Sequence, residues 1–225
     1  MQEELGDWEI RCDSQTFEKA VKDERFHYIL TLARSVNALR FVHVAMVHAG
    51  ESDAPEAKRA RFNSYLFASA ILYESFNLIR AMNQTFKDEA VFQNGLRLFL
   101  RDKIARTIER NHLDPLRNGA VFHFLPDRFK AIVENAPVDT CSFVMGRGGR
   151  NRDVYYAFAD ILAGEILMGY ASNSEEFYAQ VAKLMANTRD LVVRFADEAE
   201  KLISYHLKEW GFMMAFVPTQ PTAEL

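Results

Sequence analysis

Arg117, Asn118 and His123 put a guanidinium, an amide and an imidazole into one short segment, Arg117-Asn118-Gly119-Ala120-Val121-Phe122-His123-Phe124. An imidazole titrates near neutral pH and can take or give a proton, while a guanidinium offers a planar fork of donors to a phosphate whose charge grows in the transition state. One group moves protons and the other holds charge, so the pair suits phosphodiester cleavage. On a continuous helix, however, side chains six positions apart point about 120° away from each other at roughly 100° per residue. Convergence therefore requires Arg117 to lie in the turn before a helix that Asn118 caps, or two chains to share one site.

The segment resembles the Arg-polar-x(4–6)-His signature of the HEPN superfamily, small all-helical proteins that include metal-independent ribonucleases of toxin–antitoxin and antiviral systems. The resemblance implies that His123 removes the proton of a ribose 2′-hydroxyl, that this oxygen attacks the adjacent phosphorus, and that Arg117 stabilises the dianionic transition state. Asn118, in the polar position, would orient the phosphate or the histidine. A 2′,3′-cyclic phosphate end is the implied product, with no metal or other cofactor. A homodimer, an RNA substrate and an antitoxin-like protein partner are implied with it.

Other residues bear on the same chemistry. Glu74 sits in the most apolar stretch of the chain, where an unpaired carboxylate is costly, so it should pair with an arginine such as Arg34 or Arg117. Paired with Arg117, it would hold that guanidinium in place. Basic residues gather at Arg97, Arg101, Lys103, Arg106 and Arg110, and again at Arg147, Arg150 and Arg152. Of these, Arg101, Arg106, Arg110, Arg147 and Arg150 are candidate phosphate contacts; the plainer reading is a solvated helix face with i,i+4 ion pairs. The loop Gly146-Arg147-Gly148-Gly149-Arg150 fits neither a P-loop nor a dinucleotide-binding pattern.

Two Glu-x-x-His steps, Glu24/His27 and Glu109/His112, place carboxylate and imidazole on one helix face, and with Glu74 and Glu165 they formally complete a di-iron inventory. The order of these ligands along the chain differs from that of ferritin-like proteins. His43 and His48 do not share a helix face and read as surface or core fillers. Three function classes therefore stand: a metal-independent endoribonuclease, a HEPN-like module that binds a nucleotide, nucleic acid or protein without catalysis, and a di-iron bundle.

The elements that must position these residues are helical. The 225 residues are 49% hydrophobic, with 18 Phe against only 10 Gly and 6 Pro, which suits one all-α multi-helix bundle and leaves little turn material for a β fold. A net charge of -4 excludes a surface that wraps nucleic acid everywhere, so any RNA contact is local. Cys12 and Cys141 lack metal or disulfide spacing. The acidic opening (Glu3, Glu4, Asp7, Glu9) does not read as a signal peptide, and no apolar run reaches the ~18 residues a membrane span needs. A cytoplasmic protein without a membrane partner is expected.

Periodicity predicts one long helix from about Phe17 to Ala49, with Phe26, Ile29, Leu30, Ala33, Val36, Leu39, Met46 and Val47 inward and Gly50 as its stop. A second long helix follows Pro55, with Asp53 as its cap and its stretch from Tyr65 to Phe76 at the centre of the bundle. A third is predicted from Asp88 to about His112, with Leu96, Phe99, Ile104 and Ile108 inward and Asp114-Pro115 as its break. Shorter helices are expected at 128–134 and 153–170. A capping box at Ser172–Glu175 precedes a final long helix carrying Phe177, Val181, Leu184, Leu191, Phe195 and Leu202 on one face. The arm 1–15 and the tail 212–225 are expected to be peripheral.

Overall fold

Two long N-terminal helices and a long C-terminal helix form an all-α bundle in a computed structural model, which describes residues 6–50, 54–118, 127, 130, 134 and 174–218. After strand β1 (Gly6–Arg11), the helix predicted from Phe17 to Ala49 is two helices, α1 (Ser14–Val21) and α2 (Glu24–Ala49). The break is local chemistry. Asp23 adopts extended backbone (φ -83°, ψ 123°) and its carboxylate accepts the Arg25 amide hydrogen, which starts a new helix. Gly50 ends α2 at φ 62°, in the left-handed region that glycine enters at little cost.

Helix α3 (Pro55–Thr85) has Ala54, with no capping side chain, in the position predicted for Asp53, which lies outside the described residues. The inner stripe of α2 is Phe26, Ile29, Leu32, Val36, Leu39 and Val42, at spacings of three with one of four. Leu30 and Val47, predicted inward, are exposed, because that stripe rotates them away from α3. The central stretch of α3 is buried on most sides, through Tyr65, Leu66, Ala68, Ala70, Leu72 and Phe76. The Ser35 and Ser75 hydroxyls meet at 2.5 Å across the α2–α3 seam.

The predicted third helix is broken into pieces: α4 (Ala90–Asn94), a 3₁₀ segment (Leu96–Leu100), α5 (Lys103–Ile108), a π-helical turn (Glu109–Leu113) and α6 (Asp114–Leu116). Gly95 has a non-helical backbone (φ -115°, ψ -105°) and lies against α7 through Glu198, where α7 spans Ser174–Trp210. Asp102 then accepts the Ile104 and Ala105 amide hydrogens and restarts the helix. Asp114-Pro115 does not break the chain as predicted. The wider π turn, whose ladder bond runs from the Asp114 amide to the Glu109 carbonyl, carries Pro115 where an ordinary turn would clash, so the helical path continues into Arg117.

Helix α7 closes the core with Leu184, Leu191, Phe195, Ala199 and Leu202, and Phe195 meets Phe99 edge-to-face at 6.3 Å. Ile104, predicted inward, is 62% exposed. The start of the capping box and the predicted helices at 128–134 and 153–170 fall wholly or largely outside the described residues. Strand β2 (Met213–Pro218) pairs antiparallel with β1, Gly6 opposite Pro218 and Arg11 opposite Met213, so the arm and the tail hold each other. No helix among the described residues is long and apolar enough to cross a membrane.

Candidate functional site

Arg117 follows α6 with helical backbone (φ -57°, ψ -46°), so it does not occupy the non-helical turn that convergence on one chain would need. Its guanidinium is held from several sides. Nε donates to Oε1 of Glu74 at 2.6 Å, one terminal nitrogen donates to Oδ1 of Asn118 at 2.6 Å, and the group lies 5.9 Å from the Tyr73 ring centroid. Asn118 in turn donates to Oδ1 of Asp114 at 2.7 Å. Asp114 also hydrogen-bonds the Tyr73 hydroxyl, and this raises the phenol's pKa, with burial adding to the effect. The pairing of Glu74 with Arg117 rather than Arg34 follows from position: Tyr73 and Glu74 sit on the turn of α3 that faces α6. Glu74 is, however, 44% exposed, so partial hydration rather than full burial sets its electrostatics.

An open cleft of about 770 Å³ lies beside this network and shares Tyr73 and Asp114 with it. Its cations are Arg80, Arg101, Lys103, Arg106 and Arg110. Three are the predicted phosphate contacts Arg101, Arg106 and Arg110; Lys103 belongs to the same basic run, and Arg80 comes from α3. Arg80 is ion-paired with the buried Glu109. The other four make no ion pair with any described residue, so the expected i,i+4 pairing of a solvated face does not occur. Arg106 and Arg110 are instead a like-charged i,i+4 pair, mildly destabilising on an isolated helix. Arg97 bonds Gln93 and does not line the cleft.

A second polar cluster escaped the sequence reading. His206 on α7 is fully buried, with Nε2 2.8 Å from Oε2 of Glu89 and Nδ1 3.0 Å from Oε2 of Glu209. Its ring stacks on Trp210 at 5.3 Å and meets Phe86 edge-on at 5.5 Å. Arg25 reaches Glu89 at 3.0 Å and Glu209 at 3.3 Å and chelates Asp23, which accepts the Trp210 indole N–H at 3.1 Å. The Arg25 contact holds the Asp23 carboxyl well below the usual range, and Asp23 correspondingly raises Arg25. Closed to solvent at its histidine, the cluster ties the start of α2 and the segment before α4 to the end of α7.

The di-iron set does not assemble among the described residues. Glu24 and His27 face solvent, Glu109 is engaged by Arg80, and no group of three or more His, Cys, Asp or Glu among the described residues is arranged to hold a metal ion. Glu165 lies outside the described residues, as do His123, Arg147 and Arg150. His43 and His48 are exposed. Comparison with known proteins finds no matching family model, no matching curated protein and no matching solved structure.

Proposed function

We propose that the protein is a HEPN-like, metal-independent endoribonuclease of toxin or antiviral type that acts as a homodimer. The observation that carries this reading is the fixation of Arg117 by Glu74, Asn118 and Tyr73 at the head of the Arg-Asn-x(4)-His segment. A guanidinium oriented before substrate arrives pays little reorganisation when phosphate charge develops, which is what electrostatic catalysis requires. Glu74 fixes the Nε edge and Asn118 one terminal nitrogen, so the fork presents a set direction to a phosphate. His123 takes the 2′-hydroxyl proton and returns one to the leaving 5′-oxygen. Two copies of the segment facing each other across a dimer would bring Arg117 of one chain to His123 of the other, the second of the two routes to convergence once Arg117 has helical backbone.

The test is cleavage of single-stranded RNA by purified protein in excess EDTA, with product ends read by mass spectrometry. Cyclic 2′,3′-phosphate ends are expected, together with a ~10²–10⁴-fold loss of rate in His123→Ala and unchanged circular dichroism. Cleavage that survives His123→Ala, or none by the wild type, overturns the reading.

A further inference from the structure

The geometry points to the basic cleft as a binding site for the phosphodiester backbone of single-stranded RNA, a subsite that leads the strand to Arg117. The assignment of RNA rests on the ribonuclease reading; the existence of an oligophosphate site does not. Four of the cleft's five cations, Arg101, Lys103, Arg106 and Arg110, stand without an ion-pair partner among the described residues. Several arginines elsewhere are neutralised, Arg25 by Asp23 and Glu89, Arg40 by Glu200 and Arg194 by Asp102, whereas the cleft gathers its unpaired cations in one place. Two carboxylates do line the cleft, but Glu109 is taken by Arg80 and Asp114 by Asn118 and Tyr73, and neither ion-pairs with these four. Cations crowded without counter-ions repel one another, and an anion with several closely spaced charges relieves that repulsion.

The form of the cleft favours a strand over a compact ligand. Lys103 to Arg110 lie seven residues apart along the helical path, ~10 Å at about 1.5 Å per residue, with Arg101 just before the Asp102 cap, so the cations form a row rather than a cage. The cleft is open to solvent along that row, and a chain can enter and leave it. At its inner end Asp114 accepts from Asn118, which holds Arg117, so the row and the fixed guanidinium share one hydrogen-bonded frame. A free nucleoside triphosphate offers the same phosphate chemistry and is the alternative source.

The experiment uses the full chain carrying His123→Ala, so that RNA is not consumed, and follows a short fluorescein-labelled single-stranded RNA by anisotropy across a salt titration. Each phosphate contact to a single strand contributes about 0.7 to the slope of log K against log salt, so the added pair Arg106→Ala/Arg110→Ala should flatten that slope by about 1.4. The affinity lost through the pair should then be about sevenfold greater at 50 mM than at 200 mM salt. Arg106→Lys/Arg110→Lys, which keeps the charges, should retain the wild-type slope, and both variants should keep the wild-type circular dichroism. The same slope and affinity in the alanine variant, or no RNA binding at all, overturns the subsite. Stoichiometric ATP binding that displaces the RNA overturns the strand and leaves a nucleotide site. If the slope changes as expected while the protein with His123 intact cleaves nothing, the subsite stands and the ribonuclease reading falls.

Discussion

Replacing His206 by alanine should be the most damaging single change outside the apolar core. The ring is fully buried and both nitrogens face carboxylate oxygens, Glu89 at 2.8 Å and Glu209 at 3.0 Å. Hydrogen bonds to charged groups contribute ~1.5–3 kcal/mol net where buried. The Glu89 contact, with that carboxylate only 18% exposed, should contribute ~2 kcal/mol, and the Glu209 contact, at 40% exposure, ~1 kcal/mol after solvent screening. The vacated space beside Trp210 and Phe86, and the partial desertion of Glu89, add ~1–2 kcal/mol. The total of ~4 kcal/mol corresponds to a fall in Tm of roughly 8–16 °C for a chain of this size. Urea and thermal unfolding followed by circular dichroism measure it, with Arg40→Ala as the control, since its exposed pair with Glu200 should matter by no more than ~0.5 kcal/mol. A double-mutant cycle with Glu89→Gln should show coupling of ~1–3 kcal/mol. A loss below ~1 kcal/mol in His206→Ala, or no coupling to Glu89, would refute the clamp.

Asp23 makes the same clamp sensitive to acid: its folded-state pKa is lowered, so its contribution is complete above the unfolded value near ~3.9 and disappears as pH falls through the folded value. The stability gap between wild type and Asp23→Asn should thus be constant from about pH 7 to 5 and narrow below about pH 4, as read by urea midpoints. Gly95→Ala should cost ~1–3 kcal/mol, because a Cβ there would come 2.9 Å from the Val91 carbonyl and 2.6 Å from the Glu198 carboxylate; of these only the side chain can move aside. A midpoint equal to that of wild type would mean the backbone at Gly95 is looser than described. Asp102→Ala removes the cap of α5 and the Arg194 pair at 2.9 Å, and should cost ~1–2 kcal/mol while weakening RNA binding through the displaced cation row. Unchanged RNA affinity would separate the cleft from the cap.

What the sequence disclosed follows from how local each determinant is. The presence of α2, α3 and α7 as long helices rests on apolar periodicity over many turns, and the end of α2 on the freedom of Gly50 to take positive φ, so both are readable without neighbours, whereas the restart of the helix at Asp23 is hidden by that same periodicity. The stretch from Ala90 to Leu116 carries equally good periodicity, yet it breaks into pieces. There Gly95 leaves helical backbone where it lies close to Glu198 of α7, and Asp102 caps two amides, and only the first of these involves a residue distant in sequence. The Asp102 cap was visible in principle, since an aspartate before an amphipathic repeat is a start signal that the longer pattern hid. The same division holds for the two polar networks. Arg117 and Asn118 are neighbours and read as one segment, with Glu74 suspected on grounds of charge, whereas Asp114, a turn or so earlier, read only as part of a helix break. His206 offered only Glu209 at i+3 and a neighbouring Trp210, a pattern common on solvated helices, while its buried partner Glu89 lies 117 residues away. The two networks also differ in what they can still do. The His206 cluster is shut in by aromatic rings and its polar groups partner one another, so its chemistry is spent on holding three segments together. Beside the Arg117 network, the cleft beyond Asp114 keeps four cations without ion-pair partners among the described residues. That imbalance, rather than the signature alone, is the physical reason to look for an anion at this end of the molecule.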